Sequence, residues 1–399
     1  MRKTLLASAT ALALSASMNV MAASHGGPIK VGVIMGYTGP IESLTPDMAS
    51  SAELAFKEAS DSGKLLGGKK IEPARADSTC TDAAVATAAA ERLVTSEKVA
   101  AIVGAACSGA STAIATKVAA ANGVAMISPS STSPALTSVK DNGMFFRTAP
   151  SDARQGEVLA DITYTRGIKE VAITYTNNDY GKGLEESFSK AYKAKGGKIA
   201  ISAAHEDGKA DYSAEVGALS AAGAEELVVL GYLDQGGRGV IQASMDADAF
   251  SRFILADGMV GDSLMKNIDG DLTGTFGTLP GSESSGANKF LDYAKANGID
   301  GDGPYRAESY DAAALLVLAM QAGKSADRAS IAKHIMSVAN APGEKIYAGE
   351  LDKALKILAE GGEVDYDGAS NVEFSEVGEA AGSYKEVEVG LKFNTLKVH

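Results

Sequence analysis

Two hydroxyl-rich stretches stand out in the first third of the chain, each directly after a short apolar run. Gly104-Ala105-Ala106-Cys107-Ser108-Gly109-Ala110-Ser111 follows residues 100–103, and Ser128-Pro129-Ser130-Ser131-Thr132-Ser133-Pro134 follows residues 124–127. Small residues there can open a helix, whose first turn exposes unpaired N–H groups and the positive end of its dipole. With the hydroxyls of Ser108, Ser130 and Thr132 beside it, such a place suits a carboxylate. The same hydroxyls also serve as ordinary helix and turn caps. Different chemistry follows comparable apolar runs further on, in Asn177-Asn178-Asp179-Tyr180-Gly181, Gly231-Tyr232-Leu233-Asp234 and Ala256-Asp257-Gly258. Tyr180, Tyr232 and Asp257 can hold an ammonium by ion pairing, hydrogen bonding and cation–π contact. Anion donors in one half and cation acceptors in the other describe a site for a zwitterion, the pattern an amino acid requires.

Catalytic chemistry has less to stand on. No G-x-S-x-G elbow occurs, and the nearest stretch, 104–109, has the wrong spacing. A Walker A loop is absent, as is a G-x-G-x-x-G after the first apolar run, and no His/Cys/carboxylate group has metal-site spacing. Neither cofactor nor metal is expected. The two cysteines, Cys80 and Cys107, form a disulfide or supply a reactive thiol. None of His25, His205, His334 and His399 offers a catalytic setting, which favours the disulfide. It would close a loop of about 28 residues, worth roughly 3.5 kcal/mol in chain entropy.

These residues need a scaffold, and the hydrophobic pattern supplies one. Residues 29–35 (IKVGVIM), 71–77, 100–103 and 124–127 read as strands, with helices at 48–59, 82–94 and 111–121. Asp82 is placed to cap the second helix. The pattern starts afresh after Arg147, with strands at 170–175, 198–203, 226–230 and 252–255. Helices are expected at 153–165, 183–194, 212–221 and 236–245. Apolar strands alternating with helices call for parallel sheets covered on both faces, hence two doubly wound, Rossmann-like α/β lobes. Ligands bind such sheets beyond the carboxyl ends of the strands, where the hydroxyl and tyrosine stretches fall. Past Thr275 the chain turns helix-rich, at 288–296, 309–322, 328–339 and 350–359. Too few strands remain for a third unit, so this segment is expected back on the first lobe. The chain then crosses between lobes more than once and forms a hinge.

The N-terminus sets the compartment. Met1-Arg2-Lys3 precedes an apolar run at 5–16 and the small residues of Val20-Met21-Ala22-Ala23. This reads as an export signal over residues 1–23, cleaved after Ala22 or Ala23, and the run is too short to anchor in a bilayer. The competing reading is a buried N-terminal helix. Neither cysteine is near the cut, so no lipid attaches there. The formal charge of the 399-residue chain is −13. Losing Arg2 and Lys3 takes it to about −15, which argues against nucleic acid or anionic membrane as a partner.

Several stretches together carry a resemblance: Gly39-Pro40, the Cys80/Cys107 pair, Cys107-Ser108, Ile127 to Pro134, Tyr180-Gly181-Lys182-Gly183 and Gly231-Tyr232. The chain resembles the periplasmic binding proteins of branched-chain amino acid ABC transporters, the Leu/Ile/Val-binding family, from the first strand to the C-terminus. The resemblance implies a type I bilobed "flytrap" with three crossovers, near Arg147, Gly277 and Phe374. Its lobes would be 24–147 plus 278–374, and 148–277 plus 375–399. Ser108, Ser130 and Thr132 would grip the ligand α-carboxylate. Tyr180 and Tyr232 would frame it from the other lobe, with Asp257 taking the α-ammonium. Cys80 and Cys107 would be joined. A monomeric, non-catalytic periplasmic protein serving a membrane permease is implied.

Two departures bear on the ligand. Leu44 stands where better-known members carry a tyrosine, and Asp257 is one methylene shorter than the usual glutamate. An ammonium would sit about 1 to 1.5 Å deeper, bridge through water, or belong to a ligand of another length such as 4-aminobutyrate. The alternatives are a binder of urea, an amide or an aromatic acid, for transport or sensing, and an exported hydrolase.

Overall fold

The computed structural model describes residues 27–390 and 392–399. The expected leader lies outside them. Ile29–Met35 forms β1, in which every residue except Lys30 is buried. A strand covered on both faces belongs inside a parallel sheet. It pairs with β2 (Ile71–Asp77) and β3 (Ile102–Gly104), and the sheet continues through β4 (Met126–Ser128) and β5 (Phe145–Arg147). The order is β2-β1-β3-β4-β5, parallel throughout.

The second sheet has a parallel core of β6 (Glu170–Thr176), β7 (Lys198–His205), β8 (Leu227–Leu230), β9 (Phe253–Leu255) and β10 (Phe276–Pro280). β11 (Glu344–Tyr347) and β12 (Val364–Gly368) form a separate small parallel pair. β13 (Tyr384–Val389) and β14 (Phe393–Val398) then extend the second sheet antiparallel from β10. Its order is β14-β13-β10-β9-β8-β6-β7. The sequence pattern had left the chain past Thr275 almost without strands. β13 was hidden because its buried residues, Tyr384, Val387 and Val389, alternate irregularly with Lys385, Glu386 and Glu388.

The chain passes between the sheets three times. It leaves the first after β5 and the second after β10, and then packs a helix, Arg306–Ala322, against the helix Thr45–Asp61 of the first unit. Glu308 through Gln321 are buried without a break, which suits a helix enclosed on all sides. Its ends are fixed by an Arg306–Asp47 ion pair at 2.7 Å and by the Leu66 N–H donating to Gln321 Oε1 at 2.8 Å. The last pass lies beside β5, where Arg147 N–H donates to Gly378 O at 3.0 Å and Ala380 N–H to Arg147 O at 3.1 Å. From there the chain enters β13.

Local signals read from the sequence operate here. Asp82 caps the helix Ala83–Thr95, accepting from Ala84 N–H at 2.7 Å and Val85 N–H at 3.1 Å. Cys80 and Cys107 are disulfide-bonded, tying the loop after β2 to the one after β3. Among the described residues, no helix is long and apolar enough to cross a membrane.

Candidate ligand-binding site

The loops after β3 and β4 are held together by their own hydroxyls. Ser128 Oγ donates to Ala105 O at 2.6 Å, Ser131 Oγ to the same oxygen at 3.0 Å, and Ser130 Oγ to Ala106 O at 2.8 Å. Ser108 opens the helix Ser108–Ile114 one residue after the disulfide, and its hydroxyl accepts from Ser133 N–H at 3.1 Å. One acceptor position of the Ser108 hydroxyl is thereby used, and its proton is left for another partner. Beneath the loops, the Arg147 guanidinium donates to Ser131 O at 3.2 Å and Ser133 O at 2.9 Å.

The second sheet presents a carboxylate set among phenols. Tyr180 lies in the first turn of the helix Asp179–Ala194, four residues earlier than the sequence pattern placed a helix there. Asn178 accounts for the difference, capping the turn by accepting from Gly181 N–H at 3.1 Å. The Tyr180 ring stacks on Tyr232 with centroids 5.0 Å apart and planes 18° apart. Tyr180 Oη donates to Asp257 Oδ1 at 2.7 Å and accepts from Gly258 N–H at 3.2 Å. Tyr305 donates to Asp257 Oδ2. Gly258 must be glycine for this network: a Cβ there would lie 2.6 Å from Gly231 O and 2.9 Å from Tyr180 Oη.

Burial raises the Asp257 carboxyl above its ordinary range, while the hydrogen bonds from Tyr305 and Tyr180 pull it back down. Burial, and next the Asp257 charge, push Tyr180 and Tyr305 well above the usual phenol value, so both remain donors.

These residues surround one small cavity of about 20 Å³, well below the usual size of an open ligand site. Ser108, Ser130 and Ala106 come from the first unit, and Tyr180, Tyr232, Asp257 and Gly258 from the second. Ile41, Leu44 and Met48 close it with apolar surface, and Tyr305 completes the wall. An open groove beside Tyr212 and Arg238 is larger but gathers none of Ser108, Ser130, Tyr180, Tyr232 and Asp257. Thr132 is not part of the cavity wall. It is fully buried, and its carbonyl oxygen accepts from Asp152 N–H at 2.8 Å.

Sequence reasoning missed Ile41, Met48 and Tyr305. Tyr305 precedes a helix in the far segment, and only the return of that segment brings its hydroxyl to Asp257. Across the cleft, Asp234 joins the two units: it accepts from Ser43 N–H at 2.9 Å and Ser263 Oγ at 2.6 Å, and its own N–H donates to Pro40 O at 3.1 Å.

Residues 28–350 match the model of a family described as periplasmic binding protein. The leucine-, isoleucine-, valine-, threonine-, and alanine-binding protein of Pseudomonas aeruginosa is 30% identical over 312 residues, covering 76% of this chain and 81% of that protein. A leucine binding protein from Thermotoga maritima superposes with a TM-score of 0.77 at 24% identity, covering 93% of this chain and 98% of that one. A solute binding protein of an ABC transporter from R. palustris, in complex with 4-hydroxybenzoate, gives 0.72 at 20% identity, with 93% and 97% covered. At these identities the structural likeness speaks for the fold, which is that of the type I periplasmic binding proteins. The chain belongs to the periplasmic binding protein family.

Proposed function

We propose that this protein captures an amino acid with an aliphatic side chain in the periplasm and delivers it, unaltered, to an ABC transporter permease. The observation that carries the reading is the meeting of Ser108 and Ser130 with Tyr180, Tyr232 and Asp257 around one cavity. The Ser108 hydroxyl and the start of its helix take the carboxylate, with Ser130 beside them, its own proton held by Ala106 O. Asp257 takes the ammonium, and Ile41, Leu44 and Met48 receive the side chain. The name of the Pseudomonas relative supports the choice of ligand class. Residues 1–23 act as the export signal, cut after Ala22 or Ala23, and the product works as a monomer.

One observation favours a second reading. Both Asp257 oxygens already accept tyrosine hydroxyls, and three tyrosines line the cavity, an environment that also suits an aromatic acid. A thermal-shift and calorimetric screen separates the two, using aliphatic amino acids, 4-aminobutyrate, urea, simple amides and hydroxybenzoates. Ligand at a hundred times its Kd adds about 2.7 kcal/mol of stability, ample for detection. Aliphatic amino acids are expected to bind. Binding of hydroxybenzoates alone would reject the amino-acid assignment.

Capture follows from closure. The moving bodies are 24–147 with 278–374, and 148–277 with 375–399. Only contacts made in the closed form can shift the open–closed balance. Asp234 makes such contacts without touching the cavity. Hydrogen bonds to a charged group are worth about 1.5–3 kcal/mol. Asp234→Ala is therefore expected to weaken ligand binding roughly tenfold, mainly through faster release, with little change in ligand-free stability. Stopped-flow release rates check this, and an unchanged rate would remove Asp234 from the closing mechanism.

A further inference from the structure

Glu308 stands in the first turn of the helix Arg306–Ala322 and is only 4% exposed. It lines a groove of about 1010 Å³ walled by both units, which adjoins the ligand cavity at Leu44, a residue common to the two. The three crossings of the chain meet around it. From the first, Thr148 Oγ1 donates to Glu308 O at 2.8 Å. The second and third run side by side, with Leu279 opposite Lys385 in the pairing of β10 with β13. The Lys385 side chain lies over Gly281, where a Cβ would come 2.8 Å from its Cε. Leu279, Gly281 and Lys385 wall the groove together with Glu308.

Little reaches this carboxyl to hold a charge on it. Among the described residues its one hydrogen-bond donor is its own N–H. Lys385 draws on it from β13, but the two form no ion pair among the described residues, and Asp311 on the same helix opposes the charge. The neighbouring segments 148–151, 279–282 and 369–370 carry no charged residue. Elsewhere on the groove wall Arg306 pairs with Asp47 and Asp300, and Lys266 with Asp262. Glu283, Asp302 and Lys392 complete its charges. Burial outweighs the start of the helix, which favours a carboxylate, and raises Glu308 to about 7. Burial also raises Asp311, to about 6, but its partners Tyr366, Ala369 and Ser370 belong to its own unit and move with it.

We infer that Glu308 makes capture proton-linked: closure holds it as the neutral acid between the three crossings, so ligand is bound more tightly in mildly acidic than in alkaline surroundings. The inference rests on the two-body closure proposed above. Opening parts the groove walls and hydrates the carboxyl, returning it toward the ordinary 4.5. Closing between that value and about 7 therefore takes up a proton. The contribution to closure is complete below 4.5 and is lost as the pH rises through about 7.

Calorimetry with leucine at about pH 5.5 and about pH 8 tests it. Wild-type protein binding no leucine at either pH would overturn the amino-acid reading and the inference with it. Where wild type binds, Glu308→Gln, a permanent mimic of the neutral acid, is expected to bind more tightly. That advantage should grow at least threefold, and up to roughly thirtyfold, from the lower pH to the higher. Asp257 is present in both proteins, so the comparison isolates Glu308. A merely structural role would weaken the variant at both pH values alike. An advantage that grows less than threefold, or no advantage, would overturn the inference alone.

Should Glu308→Gln fail to fold, Lys385→Met decides. Lys385 favours the charged form of Glu308, so its removal moves the titration of that carboxyl upward. The fall in leucine affinity with rising pH is then expected at a higher pH than in wild type. A fall at the same pH or a lower one would overturn the inference.

Discussion

Asp257→Ala is expected to weaken amino-acid binding by roughly thirtyfold to several thousandfold, while leaving the fold intact. Removing one partner of a buried, hydrogen-bonded charge pair costs about 2–5 kcal/mol, because the other charge is left in a dry site. Here that charge would be the ligand ammonium. The ligand-free protein changes less. The substitution strands the hydroxyls of Tyr180 and Tyr305, but it also removes a carboxylate whose burial is unfavourable. These effects oppose each other, so the melting temperature should move by only a few degrees. Tyr180→Phe provides a graded comparison. It deletes one bond to Asp257 and one from Gly258 N–H, and a loss of about 1 kcal/mol, or roughly fivefold in Kd, is expected. Titration calorimetry on both variants checks the pair. Asp257→Ala binding as tightly as wild type would mean that the ammonium is held elsewhere.

Much of the scaffold could be read from the sequence because buried parallel strands are near-continuous apolar runs. IKVGVIM at 29–35 needs no partner to be recognised, and Asp82 announces its helix by residue type alone. β4 and β5 are three residues each, too short for any period to show, and β5 went unread. The gathering of Ser108, Ser130, Tyr180, Tyr232 and Asp257 could be anticipated because each follows a strand, and parallel strands place such loops at one edge. Tyr305 obeys no such rule. It reaches Asp257 by a path set by how the far helices pack.

Arg147→Met should be the most destabilising single change near the site, costing roughly 3–5 kcal/mol by the general cost of breaking a buried ion pair. Arg147 is fully buried, and its Nη2 donates to Glu379 Oε1 at 2.7 Å, while the Glu379 side chain is only 14% exposed. The same guanidinium serves Ser131 O, Ser133 O and Thr137 Oγ1, so methionine would strand one carboxylate and several other oxygens in a single step. The geometry couples two functions. One side of Arg147 fixes the loop that carries Ser130 and Thr132, and the other pins the last crossing of the chain through Glu379. Loss of the side chain should therefore lower the urea midpoint and loosen ligand binding together. Arg147→Lys keeps the charge but loses the planar fork, so it should fall between the two. The double variant Arg147→Met/Glu379→Met sharpens the argument: with both charges gone, no uncompensated carboxylate remains, and much of the lost stability should return. Affinity should not return with it, because the carbonyls of Ser131 and Ser133 would still lack their anchor. Recovery of stability and binding to the same extent would mean that Arg147 acts on the site only through the hinge.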